Sequence, residues 1–387
     1  MSLVSWAPKV EPKQGEGKVR KERNGRSLRR LAADCVGVEQ IGEWRLHYGV
    51  RVRDVFMRRK KMKIILAGGS GQVGRVLQRA FAGEHEVVVL SRGNGEEHGS
   101  VRFVGCDGES VGAWAKELEG ADVLINLAGR SVNCRYGAKN RREIIDSRVK
   151  STRVLGEAVK GSARPPAVWL QASTATIYPH VRPEKPFDPE AHNKLVAAME
   201  SGLELRKVYQ PPRWNFSTEV AKAWEAAFDG LILPNTRKVK LRSAMVMSPD
   251  AGGVFDTLLT LVKRRLGGRA GDGKQYVSWV HERDFVRALQ WIMEREEFRG
   301  TVNICAPNPL SNEEFMRELR AAAGVGWGLA AKEWMLEVGA FFMRTETELI
   351  LKSRRVVPGW LLRSGFEFEF PEWGAAAREL CGRALRN

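Results

Sequence analysis

Three glycines spaced three apart, Gly68, Gly71 and Gly74, follow a short apolar run, Ile64-Ile65-Leu66-Ala67, within the segment MKIILAGGSGQVG (62–74). Glycines permit a tight turn and let backbone approach a pyrophosphate closely. A helix that begins in such a turn adds unpaired N–H groups and a favourable dipole for an anion. The helix is legible as well: Val73, Val76, Leu77, Ala80 and Phe81 recur at i, i+3, i+4, i+7 and i+8, one apolar face. Strand, glycine turn and helix in that order form a dinucleotide-binding first unit, with a purely structural turn as the rival reading. Ser70 and Gln72 share this loop.

A second β-branched run, Glu86 to Leu90, is closed by Ser91-Arg92-Gly93. An adenosine ribose lies at the end of such a strand. An Asp or Glu there would hold a 2′-hydroxyl and favour NAD. A hydroxyl and a guanidinium instead suit a 2′-phosphate, so NADP(H) is the expected cofactor. The alternative is that Arg92 is a solvated loop charge. The third run, Val101 to Gly105, leads to Asp107, placed to accept from an adenine amino group or simply to form a turn. The fourth, ADVLINLAG (121–129), is apolar almost throughout, as a buried parallel strand should be. The small residues at its end, Asn126-Leu127-Ala128-Gly129, leave room for a nucleotide or serve strand–helix packing. The fifth run enters Ser173-Thr174-Ala175-Thr176-Ile177-Tyr178. Its hydroxyls crowd the carboxyl end of a strand, where open α/β sheets place ligands. Loop hydroxyls bonding their own backbone are the alternative.

The elements that must position these residues alternate regularly. A long helix is expected over 139–160, with Glu143 and Arg148 near its start; on an isolated helix both face solvent. Residues 179–215 are Pro-rich and irregular, with a short helix around 193–207. A loop of that length is usually functional or mobile. A helix at 216–228 and a sixth strand, Lys238 to Met247, follow. Further on come strands at Tyr276–His281 and Thr301–Ile304, a helix from Asp284 through Trp291, and a capping box of Ser311 and Glu314. Six β-rich runs alternating with helices indicate an α/β fold, a doubly wound parallel sheet. The expected domains are a basic extension at 1–61, a nucleotide-binding domain at 62–250, and a smaller α/β substrate lobe at 251–387 with a helical end at 329–387.

Composition narrows the function. The 387 residues are 43% apolar and 28% charged, ordinary for a globular chain. No run approaches the roughly 18 apolar residues of a membrane span, so a soluble chain without a membrane partner is expected. Five dispersed cysteines, Cys35, Cys106, Cys134, Cys305 and Cys381, show no metal spacing. They read as free thiols in a reducing, cytoplasmic setting, with no metal. Net charge is +17, and residues 1–61 hold 16 Lys/Arg against 7 Asp/Glu. That extension has no base-reading motif, so nucleic acid is not the expected partner. It also lacks the apolar core of a secretory signal. A transit peptide would suit its arginines, but the acidic residues speak against one. The preferred reading is a disordered or poorly structured extension, or an upstream translation artefact with Met62 as the natural start.

The motifs GGSGQVG (68–74), LSRG (90–93), NLAGRSVNCRY (126–136), SRVKSTRVL (147–155), ASTATIY (172–178), SWVHERD (278–284) and VNICAPNPLSNEEF (302–315) occur in order. With the ending RVVPGWLLRSGFEFEFPEW (355–373), they span about 62–380. The chain resembles the extended short-chain dehydrogenase/reductases, specifically their atypical 39U branch of epimerase-family, nucleoside-diphosphate-sugar-epimerase-like proteins. The resemblance implies a Rossmann fold with a small C-terminal domain, and NADP binding. By motif, the contacts fall on the glycine loop, including Ser70, Gln72 and Val73, and on Ser91, Arg92, Leu127 and Ala128. Glu143, Arg148 and Val246 enter the cofactor set through the resemblance alone. One departure matters. Active extended enzymes carry Tyr-x-x-x-Lys on the helix after strand five, the tyrosine as acid/base and the lysine lowering its pKa. Here WNFSTEVAKAWEAA (214–227) puts Phe216 or Ser217 at the tyrosine position and Val220 or Ala221 at the lysine position. Ser173 or Thr174 matches the remaining hydroxyl and is the candidate catalytic group. Tyr178 and His281 are further polar candidates, His281 reading first as a hydrogen-bonded structural histidine.

Two functions from different classes follow. One is an NADPH-dependent oxidoreductase or epimerase acting on an unknown small molecule, with Ser173 or Thr174 polarising a carbonyl or hydroxyl. The other is a catalytically silent NADP(H)-binding sensor or scaffold, which the missing Tyr/Lys pair supports. On the Met62 start, mass spectrometry of the native protein should find no peptide from residues 1–57; detecting one refutes that start.

Overall fold

The computed structural model describes residues 61–93, 99–178, 180, 189–200, 214–342, 346–384 and 386. The basic extension expected at 1–61 lies outside them apart from Lys61. The first half of the chain supplies β1 (Lys63–Ala67), α1 (Gln72–Phe81), β2 (Glu86–Ser91), β3 (Val101–Gly105), β4 (Val123–Asn126), α2 (Ala138–Gly161) and β5 (Val168–Thr174). The middle supplies α3 (Pro189–Glu200), α4 (Asn215–Asp229), β6 (Arg237–Ser243), β7 (Met245–Met247), α5 (Val254–Lys263), β8 (Tyr276–Val277), β9 (Trp279–His281) and α6 (Glu282–Met293). The last part holds β10 (Gly300–Ile304), β11 (Leu310–Ser311), α7 (Asn312–Ala322), α8 (Glu333–Phe342), α9 (Glu348–Leu351), α10 (Gly359–Arg363) and α11 (Trp373–Ala384).

Seven strands pair in parallel in the order β10-β6-β5-β4-β1-β2-β3. This is the doubly wound Rossmann arrangement. The strand order reverses between β1 and β4, which opens a crevice at their carboxyl ends. Side chains alternate across β1. Ile64 and Leu66 enter one core with Leu77 and Phe81 of α1 and Phe285 and Leu289 of α6. Ile65 and Ala67 enter the other with Leu155 and Val159 of α2 and Phe228 of α4. Burial on both faces explains why these strands read as unbroken apolar runs.

The structure departs from the sequence pattern where the chain leaves the sheet. The sixth apolar run breaks at Ala244, whose N–H donates to the Ile304 carbonyl at 2.9 Å. β6 stays in the main sheet, and β7 leaves it to pair with β9. The run at Tyr276–His281 splits likewise, β8 pairing with β11 and β9 with β7. Trp114 and Leu118, apolar positions spaced for a helix, lie in a short 3₁₀ helix, Ala113–Leu118. The helix expected at 193–207 starts earlier, as α3, and residues 201–213 lie outside those described. Residue 250 is not a sheet boundary: β10 lies beyond it yet forms the sheet edge against β6. A further core, holding Met247, Phe255, Leu259 and Leu380, includes Trp373, which stacks on Phe315 at 4.0 Å and donates its Nε1–H to the Phe315 carbonyl at 2.9 Å. The Ser311/Glu314 capping box forms at the start of α7.

One buried ion pair joins the sheet to α4. Arg242 of β6 donates from Nε and Nη2 to the Glu225 carboxylate at 2.8 Å each. Burial would push the Glu225 carboxyl up, but the arginine fork outweighs it and holds the group below its ordinary value. Removing one partner strands the other charge without water. Arg242→Met should therefore lower unfolding free energy by about 3–5 kcal/mol, read from the denaturant midpoint, and Glu225→Leu added to it should restore much of the loss. A single variant as stable as the parent would show that this pair is not holding the helix.

Candidate functional site

A cleft of about 570 Å³ opens at the carboxyl ends of β1, β2 and β4. Its floor is backbone. Gly68 has φ +73°, in the left-handed region, and a Cβ there would sit 2.6 Å from the Ala128 Cα. A Cβ on Gly74 would sit 1.9 Å from the Gly69 carbonyl oxygen. Only glycine fits either place. The turn is braced by Gln78, which donates to the Gly69 carbonyl at 2.8 Å, and by Arg75, which donates to that of Ser70 at 3.3 Å. The amino end of α1 has no capping side chain and no acidic residue in its first turn. Its N–H groups and dipole are thus left for an anion.

Of the residues singled out by sequence, Gly68, Ser70, Gly71, Ser91, Arg92, Asp107, Leu127, Ala128, Gly129 and Glu143 line this cleft. Arg92 is exposed at the end of β2. The hydroxyl of Ser91 donates to the Gly93 carbonyl at 2.5 Å, which fixes the turn that carries Arg92. Asp107 forms a turn: its carboxylate accepts from the Ser110 hydroxyl at 2.6 Å and the N–H groups of Glu109 and Ser110 at 2.8 and 3.0 Å. These bonds, that of the Ser110 hydroxyl above all, hold it at about 2. Leu127 to Gly129 are set by Asn126, a buried amide that accepts from the Ala128 N–H at 3.0 Å and donates to Gln171 at 3.0 Å. Glu143 pairs with Arg130 across the rim.

The remaining candidates lie off the lining. Gln72, Val73 and Gly74 stand behind the turn in α1. Arg148 packs against Gly129 and donates to the carbonyls of Arg130 and Ile144 at 3.0 Å each. Its guanidinium lies over Trp224 at 5.0 Å, and burial lowers its pKa to about 10. Val246 is buried in β7 opposite Val280. Ser173 is buried and donates to Glu225 at 2.6 Å. Thr174 caps the short 3₁₀ turn at Ala175–Ile177, accepting from the Thr176 N–H at 3.2 Å. Tyr178 is buried, donates to Asn303 at 2.6 Å, and is pushed by burial to about 12. His281 is fully buried. Its Nδ1 accepts from the Arg283 N–H at 3.1 Å, and its Nε2 lies 2.9 Å from Glu379. Burial lowers its pKa, and it caps α6 as a neutral ring.

Sequence reasoning missed one group altogether. Lys352, directly after α9, reaches the start of α4 and donates to the Thr176 carbonyl at 2.9 Å and the Ser217 hydroxyl at 2.9 Å. In sequence, LILKSRR is an unremarkable basic stretch.

Sheet order, glycine turn and cleft define a nucleotide-binding Rossmann protein. The chain belongs to the NAD dependent epimerase/dehydratase family, whose profile matches residues 64–305. A second profile, a domain of unknown function (DUF1731), matches residues 333–380. The chain is 27% identical to the human epimerase family protein SDR39U1 over 326 residues, covering 82% of this chain and 99% of that protein. It is 26% identical to the epimerase family protein YfhF of Bacillus subtilis, covering 82% and 98%. A crystal structure of human SDR39U1 (isoform 2) with NADPH superposes with a TM-score of 0.67 at 26% identity, covering 83% of this chain and 99% of that one. UDP-N-acetylglucosamine 4-epimerase from Bacillus cereus, at 14% identity and a TM-score of 0.60, shares the fold.

The glycine turn is testable without a ligand. In Gly74→Ala the new methyl group meets backbone, which has no rotamer to escape through. A loss of about 2 kcal/mol or more in urea unfolding is expected; an unchanged midpoint would mean the turn relaxes freely.

Proposed function

We propose that this protein is an NADP(H)-dependent oxidoreductase or sugar-nucleotide-type epimerase acting on a small molecule. The observation that supports this most is the pairing of an uncapped α1 amino terminus with an exposed Arg92 at the end of β2, both on one cleft. The first suits a pyrophosphate, the second a 2′-phosphate. The human relative was crystallised with NADPH, which agrees in cofactor type.

The residues present fit such a dinucleotide. A Cβ on Gly71 would meet nothing closer than the Gly68 carbonyl oxygen at 4.0 Å, so space stands open over the helix end. The Nε2 of Gln72 is buried without a hydrogen-bond partner and lies against Gly253, behind the turn. On this reading Gly68 to Gly74, with Ser70, Gln72 and Val73, hold the pyrophosphate. Ser91 and Arg92 hold the adenosine ribose phosphate, Asp107 borders the adenine, and Leu127, Ala128 and Gly129 floor the site. Glu143, Arg148 and Val246 complete the set. When bound, the cofactor supplies a hydride donor or acceptor. Ser173 and Thr174 are the hydroxyls proposed near the reacting oxygen, with Ser173 first having to leave Glu225.

Among the described residues, no helix is long and apolar enough to cross a membrane, no acidic, His or Cys cluster could hold a metal, and the four cysteines are free thiols. A second reading, a silent NADP(H)-binding sensor, is favoured by the engagement of Ser173 with Glu225. Turnover of NADPH with any member of a carbonyl panel would dismiss the sensor; thermal stabilisation by NADPH with no turnover would favour it.

Arg92→Ala should weaken NADPH binding about tenfold more than NADH binding, a difference near 1.4 kcal/mol, measured by calorimetry. Equal losses for the two would mean that Arg92 does not read the ribose phosphate.

A further inference from the structure

The amino end of α4 lies at the carboxyl end of β5, where open α/β sheets place reacting ligands. Lys352 is buried there, only 1% exposed. Its Nζ donates to the Thr176 carbonyl at 2.9 Å, the Ser217 hydroxyl at 2.9 Å and the Thr218 hydroxyl at 3.1 Å. Glu348, one helical turn earlier, is 4% exposed and accepts the Ser217 hydroxyl proton. Its Oε1 is 3.8 Å from Nζ, and its Oε2 is buried with no partner. Ser217 itself is half-buried, so it is the member of the group nearest solvent.

Stability does not explain this cluster. An ammonium at a helix amino end opposes the dipole. Burial first, with the nearby Arg354, lowers the Lys352 pKa to about 7, while Glu348 favours its charged form. Replacing Lys352 and Glu348 together by apolar side chains of similar volume would serve the fold about as well. Tyr136 completes the surroundings. It meets Phe216 edge-on at 4.8 Å, and burial with the charges of Glu348 and Glu346 raises its pKa.

We propose that Lys352 and Glu348 hold the Ser217 hydroxyl as a proton-transfer group at the carboxyl end of β5, so that the C-terminal segment supplies what α4 itself lacks. Ser217 is the catalytic residue, and Lys352 and Glu348 are positioning residues. The substrate class is a carbonyl compound or the matching secondary alcohol. In reduction, the substrate oxygen takes the proton of Ser217 Oγ, Oγ takes one from Lys352 Nζ, and Nζ regains one from water. The electron pair arrives with the hydride that NADPH supplies. Oxidation runs the same protons outward. The inference rests on the NADP(H) reading above.

A thiol probe tests it in the full chain without a known substrate. In Ser217→Cys a neighbouring ammonium favours thiolate. At pH 7, iodoacetamide should alkylate that position about tenfold faster than in Ser217→Cys/Lys352→Met, the rate change of one pKa unit, followed by peptide mass spectrometry. Ser217→Cys/Glu348→Gln should react faster still, and NADPH should slow all three. The pH at which the rate rises should shift with each second substitution; protection by NADPH, which a purely structural cluster away from the cofactor would not show, separates the two roles. A thiol inert in the folded chain, indifferent to both substitutions, or unprotected by bound NADPH overturns the proposal. Calorimetry separates the two readings. No heat with NADPH defeats the cofactor reading, while heat with an indifferent thiol defeats this inference alone.

Discussion

The contact between the glycine turn and the end of β4 constrains everything around it. The N–H of Gly68 donates to the Leu90 carbonyl at 2.8 Å, tying the turn to β2. The N–H of Leu127 donates to the Ala67 carbonyl at 2.8 Å, tying β4 to β1. Three strands thus converge on one backbone crossing with no space for a side chain. The crevice that results is lined low down by peptide groups, which bind anions well and do no proton chemistry. Side chains that move protons must come from loops and helices higher on the sheet, and their supply is the variable part of this architecture.

The C-terminal part is held to the helices that flank the sheet by buried carboxylates taking backbone N–H groups. Glu200 at the end of α3 accepts from Asn303 at 2.8 Å and Trp360 at 3.1 Å. Asp284 of α6 accepts from Glu369 and Phe370 at 2.8 Å each. Such contacts fix geometry more than they add stability. Glu200 shows the cost. Burial raises it from 4.5 to about 7 despite both N–H groups. Its folded value lies above its unfolded one, so its contribution favours the fold most at low pH and is lost as pH rises through about 7.

The nucleotide side of the molecule was legible because its signals are local. The glycine turn, the apolar alternation of β1 and the Ser91-Arg92 pair each lie within a few residues, and the structure sets Gly68, Arg92, Asp107 and Ala128 on one cleft. The breaks at Ala244 and Ser278 were not legible, because β7 and β9 leave their neighbours to pair with each other. Nothing local marks a strand that changes partners. Ser173 shows the converse limit: its position at the end of β5 was right, while its partner Glu225, 52 residues on, could be found only in three dimensions. Lys352 is the extreme case, separated from Ser217 by 135 residues.

The precision with which Lys352 arrives is itself set by backbone, not by the lysine. On the residues that follow it, Ser353 donates its N–H to His180 at 3.0 Å, and Arg354 donates to the Tyr276 carbonyl at 2.9 Å. Val356 donates to the Ser278 hydroxyl at 3.0 Å, and the Ser353 hydroxyl accepts from the Tyr276 N–H at 2.9 Å. The segment is thereby stitched to β8 and to the loop after β5 before its side chain is placed. A side chain with four rotatable bonds then needs little further ordering, since its origin is already fixed and four acceptors converge on its tip. A loop that merely capped the lobe would not need a buried amine at its centre. One that must bring a proton-handling group to the mouth of β5 would need this kind of backbone anchoring, because misplacement by an ångström would break every hydrogen bond that Nζ makes.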